Sequence, residues 1–286
     1  MNSSSFLNDL RTATETLESA GTPRPRWTAE QLLSRRLGCE PVELYLEPPA
    51  PGPAQSVQFF GDVAARASGI PLQYLLGTAA FYGREFSVGP GVFVPRPETE
   101  LLVDTALELL KGRESSDPCV LDVGTGSGAI AVTLALERSG LRISALDVSV
   151  YALSFARRNA KRHGCRIPFV RQDLLQRAAP RSADMIIANL PYLDPEQAVC
   201  WPIELHWEPW LALDGGEQGM SVIQRLVEQA LPVLRPGGRL LLEIGGGQAG
   251  GLRDFAPRNG FEMERIVPDL AGIDRVAVLK MSADGS

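Results

Sequence analysis

One run of residues in the middle of the chain constrains the fold more than any other: Leu121-Asp122-Val123-Gly124-Thr125-Gly126-Ser127-Gly128. An apolar stretch leads into it and a helical pattern follows it, so it predicts a loop that joins a strand to a helix. Glycines let the backbone turn tightly and let a ligand approach the main chain, and the helix N-terminus presents free N–H groups. The run therefore predicts a loop that binds a nucleotide-type cofactor.

Strand and helix patterns alternate from this region to the end of the chain. The predicted strands are 119–123, 142–147, 167–171, 183–188, 239–244, 261–267 and 274–280. The predicted helices lie near 127–138, 149–163, 220–234 and 248–257. Such alternation indicates a Rossmann-like α/β domain, with a mostly parallel seven-stranded sheet covered on both faces. The last two strands leave no room for a helix between them, so we expect an antiparallel finish.

The N-terminal part has a different pattern. Leu10, Ala13 and Leu17 recur at helical spacing, and Thr28 with Gln31 fits a capping box at the start of a helix that Gly38 ends. Further along, residues 81–88 and 92–94 flank Gly89-Pro90-Gly91 and predict a β-hairpin. We therefore expect a helical domain over residues 1–78, a hairpin linker over 79–96 and the α/β domain over 97–286.

Composition excludes several other classes of protein. The chain has 286 residues, 44% hydrophobic and 22% charged, which is ordinary for a globular protein, and its net charge of −6 argues against a basic nucleic-acid footprint. Its cysteines and histidines, too scattered and too few for a zinc site or a disulfide framework, are Cys39, Cys119, Cys165, Cys200, His163 and His206. No stretch has a secretory pattern or approaches the ~18 apolar residues of a membrane span. We expect a cytoplasmic protein without a metal.

The residues around the glycine loop suggest which cofactor it holds. Asp147 ends the next strand, about 20 residues on, where a carboxylate accepts both ribose hydroxyls. Asp122 favours S-adenosylmethionine (SAM), because an acid there can hold the methionine end. Gly124-x-Gly126-x-x-Ala129 also fits the dinucleotide fingerprint, so a nicotinamide-dependent dehydrogenase remains an alternative. Asp173 follows the third strand, where it could lie near the adenine or in a solvated loop.

A second motif follows the fourth strand, Asn189-Leu190-Pro191-Tyr192, which we call the amide clamp. The Asn189 side-chain carbonyl can accept a hydrogen bond from a target NH2 group. Pro191 keeps Leu190 extended and so aims the Leu190 carbonyl at the same group, while Tyr192 offers a flat face for stacking. In a doubly wound sheet ligands bind beyond the carboxyl ends of the strands, so clamp and glycine loop should share one crevice. Together they predict methyl transfer to an amide or amino nitrogen.

Beyond these motifs the chain resembles the HemK/PrmC protein-glutamine methyltransferases, which act on the Gly-Gly-Gln motif of class I peptide-chain release factors. The resemblance covers residues 71–280 and rests on several blocks. These are Pro71-Leu72-Gln73-Tyr74-Leu75-Leu76-Gly77, Phe93-Val94-Pro95-Arg96-Pro97-Glu98-Thr99-Glu100, residues 121–130, residues 208–219 and Asp269-Leu270-Ala271-Gly272-Ile273-Asp274-Arg275. The Pro-Arg-Pro-Glu-Thr-Glu block is the most specific, since general methyltransferases lack it.

The resemblance implies a class I SAM-dependent methyltransferase that transfers a methyl group to the N5 amide nitrogen of a glutamine, with the N-terminal helices docking the release factor. It implies SAM contacts across residues 124–128 and at Asp147, Leu174 and Asn189. It also implies substrate contacts across the amide clamp. Here Leu190 replaces the family's first proline, Leu174 its tryptophan, and Trp210 and Ile273 two arginines. We expect a monomer that does not bind nucleic acid directly.

Other interpretations remain open at this point. The same clamp serves adenine-N6 and guanine-N2 methyltransferases, another protein glutamine is a possible target, and a non-catalytic ribosome-associated binding module would keep the same fold. Glu204 and Glu208 are candidates for orienting Asn189 or the substrate backbone. Gly246-Gly247-Gln248 repeats the substrate tripeptide, and we interpret it as a chance recurrence at a helix entry.

Overall fold

The computed structural model describes residues 3–46, 52–111 and 117–282. The start of the predicted helical domain, residues 1–2, and the end of the predicted α/β domain, residues 283–286, lie outside the described residues. The chain divides into two compact units. The first combines Met1–Thr78 with a distant segment, Pro202–Trp207, and the second combines Ala79–Trp201 with Glu208–Ser286.

The first unit is helical. Its elements are α1 Ser3–Ser19, α2 Pro25–Leu37, α3 Glu43–Leu46, α4 Pro53–Ala67, α5 Leu72–Leu76 and the 3-10 helix Ile203–Trp207. Leu10 and Leu17 of α1 are fully buried in a core with Phe59, as their helical spacing predicts. The Arg66 side chain, 8% exposed, forms a 2.7 Å ion pair with Glu204, so the distant segment is bonded to α4.

The start of α2 differs from the prediction. The helix begins at Pro25, and Thr28 lies inside its first turns, where its Oγ1 donates to Pro23 O. Proline at the first helical position has the φ that a helix needs and no N–H to leave unpaired, so Pro25 starts the helix before Thr28. The capping-box prediction is therefore wrong. The predicted end is confirmed, because Gly38 caps α2 in the left-handed conformation.

A small hairpin opens the second unit, and its turn is not where the sequence predicted it. Strands β1, Thr78–Phe81, and β2, Arg84–Ser87, are joined by Tyr82-Gly83, both with positive φ. Two left-handed residues make the tight turn whose twist matches that of paired strands. Residues 92–94 form no strand: Val94 N donates to the Glu208 carboxylate, which replaces a ladder partner. A hairpin is present, but its predicted turn at residues 89–91 is wrong.

The remaining strands form one seven-stranded sheet. They are β3 Cys119–Val123, β4 Arg142–Asp147, β5 Phe169–Arg171, β6 Ala183–Ala188, β7 Leu234–Glu243, β8 Phe261–Pro268 and β9 Asp274–Met281. Their spatial order is β5-β4-β3-β6-β7-β9-β8, and only the pairings of β9 with β7 and β8 are antiparallel. The predicted α/β fold with an antiparallel finish is confirmed.

Helices cover both faces of this sheet. They are α6 Glu100–Leu110, α7 Ala129–Glu137, α8 Val150–Arg162, α9 Ser221–Val233 and α10 Gln248–Phe255, with 3-10 helices Pro97–Thr99, Pro195–Cys200, Trp210–Ala212, Glu217–Gly219 and Ala256–Asn259. Alternate side chains of a strand point to opposite faces. Accordingly Ile186 of β6 packs with α9 and α10, whereas its neighbour Ile187 packs with α6 and α7. Both faces of β6 are therefore buried, and its carboxyl end lies at the middle of the sheet edge, because β6 is the fourth of the seven strands.

No helix among the described residues is both long and apolar enough to span a membrane.

Candidate active site

The glycine loop connects β3 to α7, as predicted. Gly124, Gly126 and Gly128 have φ of 74°, 56° and 82°, a left-handed conformation that costs a residue with a Cβ about 1–2 kcal/mol. Space is also limited, since a Cβ on Gly124 would lie 2.8 Å from Leu190 Cδ2. The loop therefore requires glycine for its backbone, and at Gly124 also for its contact with the amide clamp.

The Asp122 side chain, near the end of β3, is hydrogen-bonded to the glycine loop and to the start of α7. Its carboxylate is fully buried, and Oδ2 accepts from Thr125 Oγ1 at 2.6 Å and from Ala131 N at 3.1 Å. Desolvation raises the pKa of Asp122 to about 7. Its other oxygen, Oδ1, is buried without a hydrogen-bond partner in the described structure. An unpaired buried acceptor is costly and calls for a donor, such as a positively charged ammonium group.

Asp147 ends β4 beside the same loop. Its Oδ2 accepts from Gly126 N at 2.9 Å, and its Oδ1 accepts from Ser149 N at 2.8 Å. Burial raises the pKa of Asp147, and the backbone N–H donors oppose the increase. The structure therefore brings Asp147, the predicted ribose-binding carboxylate, to the middle of the glycine loop.

The next two candidate residues differ in their surroundings. Asp173 forms a 2.5 Å ion pair with Arg225 at a partly exposed position, and it also accepts from Gln176. Leu174 has a φ of 47° and packs in the core cluster that also contains Val123 and Leu190. Leu174 thus belongs to the same core cluster as Val123 and Leu190, whereas the Asp173 carboxylate is engaged by Arg225.

The amide clamp begins where β6 ends, next to β3. Asn189 Nδ2 donates to Thr99 Oγ1 at 2.9 Å. Among the described residues, none donates a hydrogen bond to Asn189 Oδ1 or to Leu190 O. Two carbonyl oxygens from adjacent residues are therefore available to accept hydrogens from one NH2 group.

Tyr192 is held at both of its ends. Its hydroxyl donates to Glu243 Oε1 at 3.2 Å, and its carbonyl accepts from Gln248 Nε2 at 2.9 Å. Burial, and next the charge of Glu243, raise the pKa of Tyr192, so the phenol stays neutral. Gly219 lies so close that a Cβ there would be 2.1 Å from Tyr192 O. These contacts fix the clamp in the region beyond the ends of β6 and β7.

Comparisons with known proteins now bear on this site. The family model described as PrmC N-terminal domain matches residues 10–77, and the one described as methyltransferase small domain matches residues 85–203. A release factor glutamine methyltransferase of Koribacter versatilis is 41% identical over 265 residues, covering 92% of this chain and 93% of the relative. One of Nitratidesulfovibrio vulgaris is 40% identical over 275 residues, covering 93% and 92%.

The chain belongs to the release factor glutamine methyltransferase family. The resemblance and the methyltransferase class predicted from its motifs are thereby confirmed. A solved ribosomal protein L11 methylase from Lactobacillus delbrueckii subsp. bulgaricus shares the fold, with a TM-score of 0.52 and 19% identity, covering 71% of this chain and 89% of that one. A T. thermophilus 16S rRNA N2 G1207 methyltransferase does so with a TM-score of 0.51 and 20% identity, covering 72% and 49%.

The observed partner of Asn189 differs from the two glutamates that were its candidates. Glu208 accepts from Val94 N at 2.9 Å and pairs with Arg96, while Glu204 pairs with Arg66, so the residue bonded to Asn189 is Thr99 instead. Burial raises the pKa of Glu208, and Arg96 opposes the increase. Glu208 thus joins the 208–219 block to the 93–100 block, and the Asn189 amide bonds to Thr99. That either glutamate orients the substrate backbone stays a prediction.

Three further residues contact the clamp and were not predicted from the sequence: Thr99, Glu243 and Gln248. Thr99 belongs to the Pro-Arg-Pro-Glu-Thr-Glu block, which was noted only for its resemblance, and Glu243 ends a strand predicted from its apolar residues. Gln248 was assigned to chance, yet its Nε2 donates to the carbonyls of Tyr192, Gln218 and Gly219 and its Oε1 accepts from Gly245 N. An amide with both atoms bonded inside the fold has a structural role.

The residues of the crevice fit SAM as a ligand. The unpaired Asp122 Oδ1 offers an acceptor for an ammonium group, the glycine loop leads directly into the N-terminus of α7, and Asp147 offers a carboxylate at the end of β4. No group of three or more Cys, His, Asp or Glu side chains in the described part of the chain is arranged to hold a metal ion.

Proposed function

We propose that this protein transfers a methyl group from SAM to the side-chain amide nitrogen (N5) of the glutamine in the Gly-Gly-Gln motif of class I peptide-chain release factors. The observation that carries the proposal is the pair of available acceptors, Asn189 Oδ1 and Leu190 O, beside the glycine loop. The names of the relatives support the target, since both are called release factor glutamine methyltransferases.

For the cofactor, we propose contacts with Asp122, Gly124, Thr125, Gly126, Ser127, Gly128, Asp147, Asp173, Leu174 and Asn189. Asp122 and Asp147 are supported by their burial beside the loop, and Leu174 by its place in the same core cluster. Asp173 has the weakest support, because Arg225 already engages its carboxylate. When bound, SAM supplies an electrophilic methyl group on a sulfonium and leaves as a neutral thioether.

The catalytic and substrate-binding residues in this proposal are Asn189, Leu190, Pro191 and Tyr192. An amide nitrogen is a weak nucleophile because its lone pair is delocalised into the carbonyl. Asn189 Oδ1 and Leu190 O each accept one N–H of the target, which orients the nitrogen and stabilises the positive charge that develops on it. Holding the nitrogen in line removes much of the entropic cost of reaction.

Proton balance completes the scheme. The new C–N bond leaves the nitrogen with one proton too many, and that proton departs to solvent along the hydrogen bonds to Asn189 Oδ1 or Leu190 O. Tyr192 does not act as the base, because burial and the Glu243 charge keep its phenol protonated. The scheme thus depends on positioning and electrostatics, and needs no histidine.

Transfer of tritiated methyl from SAM to a purified class I release factor tests the proposal. Wild-type factor should be labelled, whereas a factor with Gly-Gly-Ala in place of Gly-Gly-Gln should not. The enzyme variant Asn189→Ala should lose most of the transfer even at a SAM concentration that saturates it, because it lacks the acceptor for the target NH2 group. Label on RNA or DNA but not on the release factor would refute the proposal in favour of base methylation, and label on another protein would redirect it to a different glutamine.

The proposal places the enzyme in the cytoplasm, because its target is a translation factor. That it acts as a monomer and makes no direct contact with nucleic acid remains a prediction. Size-exclusion chromatography with light scattering would check the first point.

A further inference from the structure

Three polar side chains form a row that leads from the amide clamp into the interior of the second unit. Asn189 Nδ2 donates to Thr99 Oγ1 at 2.9 Å. The Thr99 hydroxyl lowers the pKa of the nearby Glu243 carboxyl, whose Oε2 is buried without a hydrogen-bond partner in the described structure. An unpaired buried acceptor calls for a donor, and the Thr99 hydroxyl can supply one. Thr99 is 4% exposed and Glu243 only 1%. We call Asn189, Thr99 and Glu243 the orienting row. The hydroxyl of Tyr192 joins it from the side, through Glu243 Oε1.

The direction of each hydrogen bond in the row follows from counting protons. An ionised carboxylate only accepts, and a threonine hydroxyl has a single proton to donate. If the Thr99 proton turns to the unpaired Glu243 Oε2, the threonine oxygen can only accept from Asn189. Asn189 must then present Nδ2 to Thr99, which leaves Oδ1 as the atom that faces away from the row.

The opposite orientation would be inactive. An asparagine side chain has nearly the same shape after a 180° flip, so shape alone does not distinguish its oxygen from its nitrogen. A flipped Asn189 would present an NH2 group to the NH2 group of the target, two donors facing each other. Something in the fold must therefore select between the two orientations.

We propose that Thr99 and Glu243 are positioning residues that lock the Asn189 side chain with Oδ1 toward the substrate amide. The inference rests on the proposed function for the identity of that substrate. Glu243 sets the direction of the row, Thr99 transmits it, and Asn189 makes the substrate contact. Tyr192 is held by the same carboxylate, so one buried group controls two residues of the clamp.

The environment of Glu243 makes the lock depend on pH. Desolvation raises its pKa to about 7. Thr99, Tyr192 and Arg275 oppose the increase, and Glu98 reinforces it. A protonated Glu243 can donate to Thr99, which frees the threonine proton for Asn189 Oδ1 and permits the flip. Methyl transfer should therefore decline as pH falls through about 7.

Three substitutions separate the orienting role from general packing. Thr99→Val removes the hydroxyl at constant shape, Thr99→Ser restores it, and Glu243→Gln keeps the size but adds donors. Thr105→Val is the matched control, because Thr105 is also buried and its hydroxyl donates within α6, to Leu101 O. Each variant is assayed for kcat and KM with release factor, for SAM affinity by calorimetry, and for thermal stability.

We expect Thr99→Val and Glu243→Gln to lower kcat roughly tenfold or more, the effect of losing one orienting hydrogen bond. SAM affinity should stay within about twofold, since the row bonds to the far side of Asn189. Thr99→Ser should recover most of the activity, and Glu243→Gln should lose the decline near pH 7. A Thr99→Val enzyme with the same kcat as Thr105→Val would overturn the inference.

A second readout does not require turnover. Hydrogen exchange of the Asn189 side-chain NH2, observed by NMR after selective 15N-asparagine labelling, should be slow in the wild type and in Thr99→Ser. It should be faster in Thr99→Val and Glu243→Gln. Equal exchange in the wild type and Thr99→Val would overturn the inference whatever the activity. If this pattern holds while the wild-type enzyme fails to label release factor, the proposed function is refuted and the orienting role stands.

Discussion

The contact between Gly124 and Leu190 joins the glycine loop to the amide clamp, and a double-mutant cycle can measure it. Gly124→Ala places a Cβ 2.8 Å from Leu190 Cδ2 at a φ of 74°. The left-handed backbone costs about 1–2 kcal/mol. The overpacking adds about 1–3 kcal/mol, because Leu190 is only 4% exposed and has little room to move. We therefore expect the free energy of unfolding to fall by about 2–5 kcal/mol.

Leu190→Ala alone should lower the free energy of unfolding by about 2–5 kcal/mol, through lost burial and the cavity left behind. In the double variant the methyl group that clashes is gone, so only the backbone cost of Gly124→Ala remains. The double variant should then be more stable than the sum of the single effects by about 1–3 kcal/mol. Urea denaturation followed by far-UV circular dichroism measures all four proteins.

Gly126→Ala provides the control for this cycle. Its φ of 56° carries a similar backbone cost, but the nearest atom to its added Cβ is Gly124 O at 4.0 Å. With Leu190→Ala it should be additive within about 0.5 kcal/mol. A cycle at Gly124 that is equally additive would refute the claim that Leu190 limits the space at this glycine.

Three further predictions concern other parts of the molecule. Asp122→Asn should stabilise the free enzyme relative to the wild type, and the difference should grow as pH rises from about 4 to about 7. The pKa of Asp122 is raised in the folded protein, so its ionisation opposes folding over that pH range. Urea titrations at several pH values test this, and a difference in unfolding free energy that is constant with pH would contradict it. Gln248→Ala should lower the free energy of unfolding by about 1–3 kcal/mol, because it leaves the Tyr192 carbonyl without its donor. In the wild type, mass spectrometry should show no methyl group on Gln248, since its amide is bonded inside the fold. Arg66→Ala should lower the free energy of unfolding by about 3 kcal/mol, because it breaks the ion pair with Glu204; calorimetry would refute this if the melting temperature did not change.

The sheet could be predicted from the sequence almost strand for strand, because both of its faces are buried. Apolar runs such as that of β6 have to lie between two layers of helix, and glycine-rich turns separate them clearly. The errors arose where short-range rules compete. Pro25 starts the helix α2 before Thr28, which had been the predicted cap. Tyr82, although not a glycine, has the left-handed conformation of a hairpin turn, whereas the Gly/Pro segment at residues 89–91 looked like the stronger turn signal.

The candidate site was predictable only in part, for a related reason. Residues that directly follow strands, such as Asp147 and Asn189, could be located from topology alone. Thr99 lies 90 residues from Asn189 in sequence, and Gln248 lies 56 residues from Tyr192. The spacing of apolar residues predicts helices and strands, but it does not predict which distant polar side chains will meet. Glu243 ends an apolar strand, and a carboxylate there was the available signal, because a charge that a strand buries needs a partner.

The discontinuity of the helical unit has a consequence for how the chain is made. Arg66 is synthesised 138 residues before Glu204, its partner in the ion pair. At about 5–20 residues per second, the ribosome needs about 7–28 s to reach that glutamate. During this interval the helices up to α4 have been synthesised, but Glu204 has not. The Arg66 guanidinium, which is buried in the folded unit, therefore lacks its carboxylate partner. The helical unit therefore cannot be completed until Pro202–Trp207 has been synthesised, although its helices precede that segment by more than a hundred residues.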